Sequence, residues 1–146
     1  MSSSRLNRYV PAAQLFAARL VLFQDAVAKK LGISATDLKC FRLVEMLGPM
    51  TAADLAAETG LTAATLSVAV DRLVGKAYLF REQDQTDRRR WTLRAAPDAS
   101  KLVYDAYAMH GERVEDLLAS YTDADFDVVI QFLQNFSEAL KASALD

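Results

Sequence analysis

Apolar residues recur at helical spacing through most of the chain, and the points where that rhythm breaks divide it into elements. Phe16, Leu20, Phe23, Val27 and Leu31 mark a first helix over about Pro11–Leu31, with Leu15 and Leu22 widening its stripe beyond one face. Pro11 suits a first helical turn and Gly32 an end. Ser34–Asp37 then reads as a capping box, opening a helix through Leu38, Phe41, Val44 and Leu47 that Gly48 and Pro49 stop. Thr51–Asp54 is a second box of that form, heading a short helix that closes at Gly60. Thr62 caps the next helix, whose inward positions are Leu66, Ala69, Val70 and Leu73.

Past Gly75 the period changes. Two short runs rich in β-formers, "AYLFRE" and "RWTL", flank a charged loop and predict a hairpin. The loop lacks Asn-Gly or Asp-Gly, so it is longer than a two-residue turn. Helical spacing returns from about Pro97 to Ser120 with Val103, Tyr107, His110, Val114 and Leu117. A third box, Thr122–Asp125, opens a last helix carrying Phe126, Val129, Ile130, Leu133, Phe136 and Leu140. The expected class is mainly α with a small β hairpin, a helix-turn-helix with a wing between outer helices. The stripes of those outer helices are too wide for one small monomer to cover.

Composition changes this picture only at a few points. The chain has 146 residues, 5 Gly and 3 Pro, which favours helices over a turn-rich β fold. One cysteine excludes an internal disulfide framework and a Cys-rich zinc site. Val10–Val27 is apolar but broken by Gln14, Arg19, Gln24 and Asp25, a poor membrane span. The opening "MSSSRLNRY" is polar, and a soluble, cytoplasmic protein is expected. No glycine-rich phosphate loop, metal spacing or nucleophile–histidine motif is visible, so no catalytic residue, cofactor or metal is expected.

Charge is distributed unevenly. The formal net charge is −2, yet residues 62–94 hold seven Lys/Arg against four acids, and residues 95–146 hold three against ten. A basic middle beside an acidic tail points to one face that meets a polyanion. On the helix after Gly60, residues Thr62, Ala64, Thr65, Ser67 and Val68 lie towards the exposed N-terminal part, which in a helix-turn-helix enters the major groove. Arg72 follows on the same helix as a further expected DNA contact. An ordinary helical hairpin would show similar Ala/Gly/Leu spacing; the hairpin with Arg88, Arg89 and Arg90 favours DNA. A β loop beside such a helix reaches the adjacent minor groove, where arginine suits the negative potential. Strand-like alternation would point Arg88 and Arg90 one way and Arg89, the expected inserting residue, the other. Asp87 is expected to pair with an arginine and brace the loop, with Arg81 assisting, while Trp91 and Leu93 anchor the wing.

The segment "VDRLVGKAYLFREQDQTDRRR", residues 70–90, resembles the MarR family of bacterial transcription regulators. The resemblance rests on Asp71–Leu73 at the helix end, Arg81 on the strand and Asp87–Arg89 in the wing, and spans about residues 10–141. It implies a homodimer on pseudo-palindromic double-stranded DNA, with 1–33 and 96–146 forming the dimerisation helices around a DNA-binding lobe at 34–95. Many relatives are repressors released by a small aromatic or phenolic molecule, or by thiol oxidation. Family pockets lie where the dimer helices meet the DNA-binding lobe, which makes Arg19, Phe23, Phe41, Tyr107 and His110 candidate ligand residues. His110 in a packing role competes with that reading, and Cys40 reads as a small buried hydrophobe. The chain departs from the family pattern at Val68, often an arginine, at Ala77, usually glycine, and at 93–97. A winged-helix module used only for protein contacts is the alternative function.

Overall fold

The computed structural model describes residues 2–144, and Met1 and residues 145–146, at the ends of the two outer segments, lie outside them. The elements run α1 (Ser2–Leu31), α2 (Ala35–Leu47), α3 (Ala52–Thr59), α4 (Ala63–Gly75), β1 (Leu79–Gln83), β2 (Trp91–Ala95), α5 (Pro97–Leu118) and α6 (Asp123–Ser143). The order and types match the sequence expectation. The largest difference is the start of α1, which runs through Pro11 instead of beginning there. Proline removes one main-chain bond and crowds the preceding turn, but the residues on either side carry the helix across it.

The core gathers around α2 and α4. Leu38, Phe41 and Val44 of α2 meet Leu66, Ala69, Val70 and Leu73 of α4, with Leu55 of α3, Leu79 and Leu93 of the hairpin, and Val103 of α5. Val27 and Ala28 at the end of α1 join the same cluster. Each large side chain fully buried here contributes roughly 1.5–3 kcal/mol.

Helix starts follow the boxes closely, with one exception. Thr51 with Asp54, and Thr122 with Asp125, form both reciprocal bonds. At Ser34 only half the box exists: the hydroxyl accepts from the Asp37 amide at 3.0 Å, while the Asp37 carboxylate turns to Arg72. Gly60, at φ 69, makes the left-handed turn that lets α4 cross α3.

The hairpin pairs antiparallel, Leu79 with Ala95 through to Gln83 with Trp91. Met50 adds a third short rung, exchanging two main-chain bonds with Leu93. The turn into β1 places Ala77 at φ 60, a region that crowds its Cβ. Ala77→Gly is therefore expected to stabilise the protein by about 0.5–1 kcal/mol after the unfolded-chain entropy of glycine is subtracted. Thermal unfolding should register this as a rise of about 1–4 °C; an unchanged or lower midpoint would show that the turn is unstrained.

The outer helices are left open. No residue of α6 is buried, and Phe132, Leu133 and Leu140 are exposed. On α1, Leu15, Phe16, Leu20 and Leu22 are exposed as well. Tyr9 of α1 touches Phe132 and Phe136 of α6 edge-on. Despite its polar interruptions, an 18-residue window of α1 within Ser4–Leu31 reaches a mean hydropathy of 1.2, long and apolar enough by those measures to cross a membrane.

Candidate nucleic-acid interface

α4 is fixed from both ends and from beneath. Thr62 accepts from the Thr65 amide at 3.2 Å, and its hydroxyl donates to Thr65 Oγ1 at 2.9 Å. Leu66, Ala69, Val70 and Leu73 bury one face. Thr62, Ala64, Thr65, Ser67 and Val68 are all exposed on the rest, as the sequence predicted. Near its C-terminus, Lys76 Nζ donates to the Gly32 carbonyl at 2.6 Å, tying α4 to the end of α1.

Arg72 is engaged with the protein itself. Its Nε donates to Asp37 Oδ2 at 3.0 Å and its Nη2 to Oδ1 at 2.7 Å. Asp37 is 2% exposed, so this two-pronged bond locks α4 onto α2. Burial pushes the Asp37 carboxyl up, but the Arg72 and Ser34 hydrogen bonds and the Arg72 charge outweigh it and leave it below its ordinary value. Arg81 on β1 likewise pairs with Asp71 of α4 at 2.6 Å, bracing the hairpin against the helix.

The wing tip is a folded loop, not an extended ribbon. Asp84 N donates to the Arg90 carbonyl at 2.8 Å and closes the loop at its base. Arg90 N then donates to the Asp87 carbonyl at 2.9 Å, making Asp87–Arg90 a β-turn with Arg88 and Arg89 at its corners. Strand alternation therefore does not set the directions of the three arginines. Asp87 does not pair with an arginine side chain; its Oδ1 accepts from the Arg89 amide at 3.0 Å, the local bond of an Asx-turn. The busier carboxylate is Asp84, whose Oδ1 accepts from the Thr86 amide at 2.8 Å, the Thr86 hydroxyl at 2.6 Å and the Asp87 amide at 3.0 Å. Those bonds lower its pKa to about 2. The pattern Asp84–Gln85–Thr86–Asp87, two turn-forming acids around a threonine, was the available signal for this role.

Gln83 Nε2 adds a bond to the Arg88 carbonyl at 2.6 Å. Arg88, Arg89 and Arg90 are exposed, and among the described residues none of them forms an ion pair. Arg94 pairs with Glu82 across the strands. Leu93 anchors the wing as expected, but Trp91 is 52% exposed. It sits on the rim of a cleft of about 280 Å³ that Ala56, Leu66, Val70, Arg81 and Leu93 also line. The small residues of α3 and α4 leave that gap, so the indole leans on the body without being enclosed.

The five candidate ligand residues are only partly brought together. Phe23 lies 5.5 Å from the Tyr107 ring and 4.6 Å from His110, joining α1 to α5. Arg42, which sequence alone did not single out, stands over the Tyr107 ring at 5.5 Å. Phe41 instead lies in the core against Tyr78, and Arg19 is exposed one turn before Phe23. A neighbouring cavity of about 440 Å³ is lined by Gln24, Lys39, Cys40, Arg42 and Thr59 among others, and by none of the five. Cys40 is buried, and burial, followed by the Asp37 charge, raises its thiol pKa.

Comparison with known proteins adds a lineage to this geometry. A MarR family model matches residues 31–90. The chain is 33% identical over 142 residues to the uncharacterized HTH-type transcriptional regulator YcgE of Bacillus subtilis (strain 168), spanning 95% of this chain and 92% of that one. In fold it is similar to a MarR family protein from Bacillus stearothermophilus, with a TM-score of 0.76 at 15% identity over 96% of this chain and 98% of that one. It is similar also to Streptococcus pneumoniae FabT, solved in complex with DNA, with a TM-score of 0.67 at 19% identity over 96% and 98% of the two chains.

Proposed function

The chain belongs to the MarR family of transcription regulators and is not an enzyme, and from that premise we propose that it works as a cytoplasmic homodimeric repressor on a pseudo-palindromic DNA operator. The observation that carries the DNA reading is the pairing of an exposed α4 face with a braced wing whose three tip arginines have no ion-pair partner among the described residues. The helix enters the major groove, and the wing places cations on the flanking backbone or minor groove. Residues 34–95 act as the DNA-binding lobe, with the outer segments 1–33 and 96–146 as the dimer unit.

The dimer reading rests on the open apolar surfaces of α1 and α6. Their hydropathy, which also brings α1 to the level of a membrane span, is what a subunit interface requires. Sedimentation at low micromolar concentration should give about twice the 16.1 kDa chain mass; a well-folded monomer there would remove the dimer. Selection from a random duplex pool should recover a symmetric operator whose binding weakens steeply with salt. Recovery of no duplex at all would sink the function. Release by a small aromatic acid or phenol is assigned to the Phe23–Tyr107–His110 cluster beside Arg42. Thermal-shift hits that survive His110→Ala with Tyr107→Phe unchanged in affinity would move the effector elsewhere.

A further inference from the structure

The outward face of α4 has an unusual composition for a surface that meets nucleic acid. Leu66 and Leu73 define its buried side, and Val68 lies on the opposite side, 55% exposed. Ala64 stands one turn before it, with Thr65 and Ser67 flanking. The cations that could give this surface charge are all engaged with the protein. Arg72, one turn after Val68, holds Asp37; Lys76 holds the Gly32 carbonyl; Arg81 holds Asp71. Each guanidinium that could read guanine, the commonest specific contact in a major groove, is already held by a carboxylate: Arg72 through Nε and Nη2, Arg81 through Nη2. An exposed β-branched apolar side chain at the centre of the face costs hydration and gains nothing within this chain.

Resting on the DNA-binding reading, we propose that α4 recognises thymine 5-methyl groups through Val68 and Ala64, so that each half-site is read chiefly by apolar contact at A·T pairs and affinity comes from the wing. The thymine methyl is the apolar feature that the major groove offers to such a surface. Thr65 and Ser67 are placed to add hydroxyl bonds to phosphate or base edges. Specificity then depends on shape and methyl burial at α4, while the salt dependence belongs to Arg88, Arg89 and Arg90.

The test uses the full-length protein and a selected operator in which single thymines are replaced by deoxyuridine, which removes the methyl and keeps every hydrogen bond. One or two positions in each half-site should lose about fourfold in affinity, the effect of burying one methyl-sized group. Val68→Ala should bind the thymine operator about tenfold more weakly and no longer distinguish thymine from deoxyuridine at one of those positions. Val68 is exposed, so the variant should fold, and circular dichroism checks it. Equal binding of thymine and deoxyuridine operators by the parent protein overturns the inference while leaving DNA binding intact. So does a Val68→Ala protein that keeps full methyl sensitivity at every position. Failure to bind any selected duplex overturns the DNA-binding reading itself, and the inference with it.

Discussion

Arg72→Ala is expected to destabilise the protein at pH 7 by about 1–3 kcal/mol, the range for a buried acceptor that loses its partner, and to do so less at pH 4. The loss arises at the Asp37 carboxylate, which remains buried with only the Ser34 side chain left as a hydrogen-bond partner for its charged form. In the parent protein the folded Asp37 pKa lies below its ordinary value. Its contribution is therefore present above the unfolded pKa of about 4 and is lost as pH falls through the folded value. Without Arg72 the burial that raises the pKa is no longer outweighed, and the sign reverses. Stability then falls as pH rises through the carboxylate range, and the gap from the parent widens towards neutrality. Urea unfolding of both proteins at the two pH values measures this; equal losses at pH 4 and 7 would mean that Asp37 is not the stranded group.

The same pair bears on DNA binding. A brace predicts that Asp37→Asn and Arg72→Ala both weaken operator binding, because α4 loses its seat on α2. A direct contact from Arg72 predicts that Asp37→Asn leaves affinity unchanged or raises it, since a guanidinium is freed. The two substitutions together separate these roles in a way neither does alone.

Much of this architecture was legible because it is written locally. Thr51–Asp54, Thr122–Asp125 and Gly60 act on their own turns, so their spacing predicts them. The inward set Leu66, Ala69, Val70 and Leu73 follows from helical period alone. The Asp37–Arg72 pair was not legible, since its members are 35 positions apart and Asp37 also fits a local box. Burial decided between the two partners: a carboxylate in the core gains more from a bidentate guanidinium than from one exposed amide. Arg42 over Tyr107 was hidden for the same reason, as it joins α2 to α5. Trp91 faces the body with Leu93 as expected, but its exposure was not legible, because alternation gives a side chain's direction and not the size of the gap it faces, here set by Ala56 and its neighbours.

In the wing, removing a negative charge is expected to weaken DNA binding. Simple electrostatics predicts that Asp84→Ala and Asp87→Ala bring the loop closer to a polyanion and tighten the complex. The geometry predicts the reverse, because both carboxylates organise main-chain amides that hold the arginine turn in shape. Asp84 accepts three bonds and Asp87 one, so Asp84→Ala should cost more. The Asp84 pKa near 2 means that this brace is intact above the unfolded value of about 4 and is lost only as pH falls towards 2. It is therefore fully formed under any binding assay near neutrality. Arg88 and Arg89 occupy the turn corners and Arg90 its base, so their roles should differ. An arginine inserted in the minor groove, expected to be one of the two corner residues Arg88 and Arg89, should lose about tenfold or more when cut to alanine, the scale of a direct contact. One that meets a phosphate should weaken operator and scrambled duplex alike and lower the salt slope by about one. The measurement is titration of both duplexes with the five alanine variants at two salt concentrations. Tighter binding by Asp84→Ala, with equal losses from all three arginine variants on both duplexes, would reduce the wing to a charged loop whose fold is irrelevant to recognition.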